Sequence, residues 1–283
     1  MKPPKPSIFR YHDYRAFLRD WFSWAKADKR AELSMRSVAK LSGLAVGLLP
    51  MVLAGRRSLS QQTLRRLQPH LGLQSAERKH LELLWEIGES EDPTHRLESL
   101  RRLQKSAEYK RENPIDVDAH EYLSRWTNIA IHELAQIDGF SNDPSWIQGR
   151  LGFAATLSEV KASLEFLHRA GFLVEEAGKP SRPKQRELDC TEGVFKISLG
   201  AFHRQALDLA ARSIDDFSRE ERDLQGHTFS LRRRDFDKIK HILSEALNEI
   251  QKMAASESDA EEVYHVEMAA FPVTRSSTKQ EIP

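Results

Sequence analysis

One stretch narrows the choice of folds at once. Residues 40–60 read KLSGLAVGLLPMVLAGRRSLS. Ser34, six residues upstream, is a residue type that caps helix N-termini, and the helical spacing then runs from Met35 to Leu41. Ala39 is small enough for a second helix to cross close by, and Gly43 permits a tight turn. Leu49 and Val52 are spaced to anchor a helix over residues 46–53, which Gly55 stops. This is the frame of a helix-turn-helix. Pro50 does not break it: in a helix that begins near Gly47, Pro50 stands in the first turn, where backbone N–H groups have no intrahelical partner.

The flanks extend that frame into a helical domain over residues 1–88. Tyr14, Phe17, Leu18, Trp21 and Phe22 form one apolar stripe on a first helix. Ser60 caps a fourth helix that Gly72 ends. Ser75 is expected to cap a fifth, which carries Leu81, Leu83, Leu84 and Trp85. Residues 89–115 read as a charged helical linker with Leu97, Leu100 and Leu103 on one side. Residues 116–192 give three helices, a strand at FLVEE and a hairpin partner at 185–190, the order of a winged helix. Asp143-Pro144 is a favoured start for the second of these helices, and Thr156 or Ser158 for the third. Residues 193–274 read as a small α+β part: a long helix from Ser198, strands at 227–231 and 263–272, and a helix from Arg234 to about Ala255. Residues 275–283 read as a disordered tail. The expected class is mainly α.

Charge singles out the first domain. The chain of 283 residues has a net charge of +1. Between Ser34 and Lys79, however, eight lysines and arginines stand against Glu77 alone, so the remainder is net acidic. A basic module on an acidic body suits a polyanion. No apolar run has the ~18 residues of a membrane span, so no membrane partner is expected. MKPPKPS is not followed by the apolar stretch of a secretory signal. A single cysteine, Cys190, supports neither an internal disulfide nor a thiolate zinc site. The expected location is cytoplasmic.

The same residues state what the module would read with. Arg36, Lys40, Arg56, Arg57, Arg65 and Arg66 are placed to contact phosphates, which position a protein without reading sequence. The third helix offers no polar side chain before Arg56, and base edges are read mainly by polar groups. Val46, Leu48 and Met51 therefore leave two readings open: an apolar contact with DNA, or a protein contact. In the second module the third helix mixes Glu159, Lys161, Glu165 and Arg169, a poor DNA face. Its wing carries Lys179, Arg182, Lys184 and Arg186.

Motifs for catalysis are missing. There is no Gly-rich phosphate loop, no HExxH and no Gly-x-Ser-x-Gly elbow. His120 and His132 lie more than three helical turns apart on one predicted helix, too far to share a metal ion, and read as packing or surface histidines. His203 and Arg204 read as a salt-bridged helix face, and the acidic residues 215–223 as a solvated helix end. No enzyme activity, metal or cofactor is expected.

The motifs FRYHDYRAFLRDWF, GRRSLSQQTLRRL, EYLSRWTNIAIHEL, AFHRQALDLAARSIDDFSREERDLQGHTFSL and AFPVT together resemble an uncharacterised bacterial family of conserved hypothetical proteins. The resemblance runs from Ile8 to Thr274, and the larger part of that family is a C-terminal domain of unknown function. It implies a transcriptional regulator with an N-terminal helix-turn-helix, and it brings no catalytic or ligand residues. Gly47 and Pro50 depart from a base-reading helix. The expectation is a regulator that binds double-stranded DNA as a homodimer, its C-terminal body dimerising or sensing an effector or protein partner. The alternative is a protein-interaction scaffold whose helix-turn-helix no longer reads DNA.

Overall fold

The computed structural model describes residues 4–153, 155–175, 180–184, 192–257 and 259–274. The chain is mainly helical and divides into two compact units, Met1–Ser124 with Glu187–Phe202, and Arg125–Arg186 with His203–Pro283. Among the described residues no helix is long and apolar enough to cross a membrane.

The first unit contains α1 (Tyr14–Ala27), α2 (Met35–Leu41), α3 (Leu48–Leu53), α4 (Gln61–Leu67), α5 (Ser75–Glu89), α6 (Pro93–Lys105), α7 (Ala107–Glu112) and α8 (Pro114–Leu123). Its core forms around α1, whose Tyr14, Phe17, Leu18, Trp21 and Phe22 are buried as the stripe requires. α3 and α5 both pack on this helix. Local chemistry sets the ends. Ser34 Oγ accepts the Ser37 N–H (3.2 Å) and Ser60 Oγ the Thr63 N–H (3.2 Å). Gly43 adopts φ +64°, which lets the Leu44 N–H reach back to the Ala39 carbonyl (2.8 Å) and the Gly43 N–H to the Lys40 carbonyl (3.1 Å). Gly55, at φ +71°, closes α3 in the same way, its N–H and that of Arg56 bonding Val52 and Met51. Arg19 Nη1 on α1 donates to the Leu53 carbonyl (2.8 Å), so one more orphan acceptor at the end of α3 is satisfied.

Two sequence expectations change here. α5 begins after Gln74 rather than at a Ser75 cap: the Gln74 N–H donates to Glu77 Oε2 (2.7 Å), and Ser75 is the first helical residue. The expected charged helical linker, residues 89–115, is no single helix. Ser106 ends α6 and caps α7, its Oγ accepting the Tyr109 N–H (3.4 Å). Leu100, Leu103 and Tyr109 lie fully buried in the core of the first unit, and α6 packs along α5. The charged face that suggested a linker is the outer side of a core element.

Glu89, at the end of α5, ties three segments together. Its Oε1 accepts from Arg15 Nη2 (2.5 Å), from the Tyr14 hydroxyl and from the Leu59 N–H (3.3 Å). Burial, followed by this carboxylate, raises the Tyr14 pKa well above its ordinary value.

The second unit contains α9 (Trp126–Leu134), α10 (Pro144–Arg150), α11 (Leu157–Arg169), β1 (Leu173–Val174) and β2 (Arg182–Pro183). α9 and α10 both pack on α11, and the Thr127 and Ser163 hydroxyls bond in the buried seam between α9 and α11 (2.8 Å). Asp143 caps α10 through the Ser145 N–H (3.0 Å); Thr156 caps α11 with Glu159 returning the bond (2.8 Å). β1 pairs antiparallel with β2, Val174 opposite Arg182. The hairpin partner is thus 182–183; the expected partner at 185–190 lies outside the described residues.

α12 (Glu192–Asp216) contributes residues to both units, and α13 (Phe236–Ala255) belongs to the second. The expected α+β character of 193–274 is corrected. Among the described residues neither 227–231 nor 263–272 belongs to a strand, and the only ladder is β1–β2. Alternating residues give an extended backbone, but a strand also needs a neighbour to bond. The tail 275–283 lies outside the described residues.

Candidate nucleic-acid interface

The segment that draws attention is α2, the glycine turn and α3, followed by α4. Ala39 and Leu49 are fully buried, and α2 and α3 pack together. Arg36 and Lys40 are exposed, and one helical turn separates them on the same side of α2. Arg56 and Arg57 are exposed just past α3; Arg65 and Arg66 are exposed in the last turn of α4. None of these six cations is in an ion pair among the described residues, whereas Glu77, the one acid in the segment, is held by the Gln74 N–H and Lys5. The cations are thus solvated and uncompensated within their own segment.

The outward side chains between α2 and the end of α3 are of a different kind. Ala45, Val46, Gly47, Pro50, Met51 and Ala54 are exposed; none of their side chains can donate a hydrogen bond, and only the Met51 thioether is a weak acceptor. Val46 is 52% and Met51 44% exposed. Leu48 is half-buried and packs against the core, which leaves it less available than the other two. Because α3 starts at Leu48, Pro50 stands in its first turn, where a missing N–H costs no helical bond.

Sequence reasoning passed over Gln61 and Gln62. Both are exposed in the first turn of α4, one helical turn before Arg65 and Arg66 respectively. The signal was available: the cap at Ser60 fixes where α4 begins, and therefore which glutamines share a side with the arginines.

In the second unit Arg182 and Lys184 are exposed, and the Lys184 N–H bonds the Phe172 carbonyl (2.8 Å), which fixes the end of the hairpin. Ser181 is buried, its N–H bonding Asn142 Oδ1 (3.0 Å). Lys179 and Arg186 lie outside the described residues, as does Cys190. On α11, Arg169 lies over the Phe166 ring (5.5 Å), and Glu159 is engaged at the helix start, where the Thr156 backbone and hydroxyl hold its carboxyl below the usual range.

The histidines serve packing. His120 Nδ1 lies 2.7 Å from Ser198 Oγ, and burial lowers its pKa to about 4. His80 is buried against Phe9 and Tyr109, with its pKa likewise lowered by burial to about 4. His12 joins Tyr109 (3.0 Å) to Asp116 (3.2 Å), tying the N-terminal segment to α7 and α8. His203 pairs with Glu267 (2.9 Å). Among the described residues no group of histidines, cysteines and carboxylates could hold a metal ion.

A family model described as a domain of unknown function (DUF4423) matches residues 106–273, more than half of the chain. The chain belongs to the DUF4423 family. The DUF4423 segment begins at α7 and takes in α8 through α13, so α2, α3 and α4 lie before it. Membership therefore bears on the body of the chain and not on its basic segment. No curated protein and no solved structure matches the chain.

Proposed function

We propose that this chain is a DNA-binding transcriptional regulator. α2, the glycine turn and α3 act as a helix-turn-helix, and Arg36, Lys40, Arg56, Arg57, Arg65 and Arg66 contact phosphates. The three helices α9–α11 with the β1–β2 hairpin act as a winged-helix-like module whose Arg182 and Lys184, with Lys179 and Arg186, add phosphate contacts. The protein works in the cytoplasm as a homodimer, because two half-sites supply affinity that one weak reader lacks. No catalytic step is part of the proposal.

The observation that carries the reading is the set of six exposed, unpaired cations around a glycine-closed pair of packed helices. Its mechanism is electrostatic. Each cation that neutralises a phosphate releases condensed counterions, so binding tightens with every contact and weakens with salt. Discrimination between sequences is modest, since α3 offers base edges only methyl and methylene groups and the weakly accepting Met51 thioether. Gln61 and Gln62 are the side chains in this segment best suited to bond a base edge.

Anisotropy of a labelled genomic duplex at about 50 mM salt tests this, because phosphate-driven affinity is still strong there. The wild type is expected to bind, and replacement of Arg56, Arg57, Arg65 and Arg66 by Ala to remove most of the binding with the melting temperature unchanged. Absence of binding by the wild type at low salt ends the reading.

The exposure of Val46 and Met51 favours one rival, a scaffold that uses this apolar surface to hold another protein. Met51→Lys separates the two. An added cation tightens DNA binding under the first reading and breaks a protein contact under the second.

A further inference from the structure

We propose that α13 is the homodimer surface, packing antiparallel against α13 of a second copy of this chain. The helix has 20 residues, about 30 Å of length at 1.5 Å per residue. Phe236, Ile239, Leu243, Leu247, Ile250 and Met253 recur every three or four positions along it, one continuous apolar side. A helix with such a side draws its stability from covering it. Yet the protomer covers this side only in part: Phe236, Ile239, Leu243, Leu247 and Ile250 are half-buried, Met253 is 68% exposed, and Ile242 beside the stripe is 61% exposed. The flanks show the same surplus: Phe229, Tyr264 and Phe271 are exposed as well.

The distribution of charge says what covers the helix. Arg232, Arg233 and Arg234 precede it and carry the basic surplus, while Lys240 in its first half is paired with Asp237 (2.8 Å). Glu245 lies at its midpoint, Glu249 pairs with Lys252 (2.7 Å) in its second half, and Glu257, Asp259, Glu261 and Glu262 follow it, so the acidic surplus lies past the helix end. Arg233 and Arg234 are in no ion pair among the described residues, while Arg232 and Lys238 share Asp235 (3.4 and 2.7 Å). A parallel pair would stack arginines on arginines and acids on acids. An antiparallel pair lays the basic end of each copy beside the acidic end of the other, twice, through one two-fold axis. The surface is complementary to itself, so a second copy is the partner it fits. The pair supplies the dimer that the DNA reading uses, but its test measures mass and not DNA, so either can fail alone.

Sedimentation of the full chain at micromolar concentration is expected to give a dimer. Leu243→Glu with Leu247→Glu should raise the dissociation constant roughly a hundredfold or more, as loss of central anchors does. Because no residue of α13 is fully buried in the protomer, the circular dichroism and melting of the first unit should persist. Orientation is read in a Cys190→Ser background. Ile239→Cys chains mixed with Met253→Cys chains are expected to cross-link to each other on oxidation, and hardly to themselves. A monomeric wild type, an undisturbed double variant, or cross-links of Ile239→Cys chains among themselves would each overturn the proposal.

Discussion

Helix α1 buries Tyr14, Phe17, Leu18, Trp21, Phe22 and Ala25, whereas α13, longer and as clearly striped, buries no residue fully. Both sequences ask for a covered apolar side. α1 meets α3 and α5 from its own unit. α13 leaves Phe236, Ile239, Leu243, Leu247 and Ile250 only half-buried and Met253 exposed, between segments that no described strand pairs. The difference teaches that periodicity states a demand for burial and says nothing of who meets it. The first unit covers the stripe of α1 from within; under the proposed pairing a second copy completes the cover of α13.

Point substitutions should separate the two ends sharply. Trp21→Ala removes a fully buried indole and should cost about 3–5 kcal/mol in a urea titration. Leu243→Ala, at a concentration too low for association, removes a half-buried side chain and should cost only about 1 kcal/mol. Comparable losses at both positions would erase the contrast.

The polar ties should differ in the same direction, by less. Glu89→Ala leaves Arg15 and the Leu59 N–H without their acceptor inside the first unit and should cost about 3 kcal/mol. Asp235→Ala breaks pairs with the exposed Arg232 and Lys238 and should cost under about 1 kcal/mol. Denaturant melts of both variants measure this.

Mild acid should weigh most on the first unit through its buried histidines. His80 and His120 both lie there, and burial lowers each from 6.5 to about 4. Folded, both are neutral; unfolded, both take up a proton as pH falls through 6.5. Stability is therefore complete above pH 6.5 and falls as pH drops toward 4, by about 1.4 kcal/mol per pH unit for each histidine. His80→Phe should halve the slope of melting stability against pH. A flat profile between these limits would contradict the burial of both rings.

The smallest effect is a gain. Lys29 ends α1 at φ +58°, in the position that Gly43 and Gly55 occupy after α2 and α3. Lys29→Gly relieves a left-handed side-chain conformation and should stabilise the first unit by about 0.5–1 kcal/mol, measured by thermal melting.

Many helix boundaries in both units were legible because they are decided within a turn. Ser34, Ser60, Asp143 and Thr156 each accept an N–H two or three residues on, and Gly43, Gly55 and Gly171 take left-handed backbone where their helices stop. The break at Ser106 was hidden because the stripe of Leu97, Leu100 and Leu103 masked a cap that closes one helix and opens the next. The pairing of 182–183, and the lack of any at 227–231, turn on distant partners that alternation does not name. At the candidate interface the cations could be read off directly, because no acid but Glu77 shares their segment. The exposure of Gln61 and Gln62 needed the start of α4 to be placed to the residue.

The account stands on phosphate contact by the amino-terminal cations, and the salt dependence of DNA binding tests it most directly. The logarithm of the association constant should fall linearly with the logarithm of salt concentration, and Arg56→Ala with Arg57→Ala should flatten that slope by about 2, close to 0.9 for each lost contact. Wild type and double variant with the same slope, or no binding by either at low salt, would contradict it.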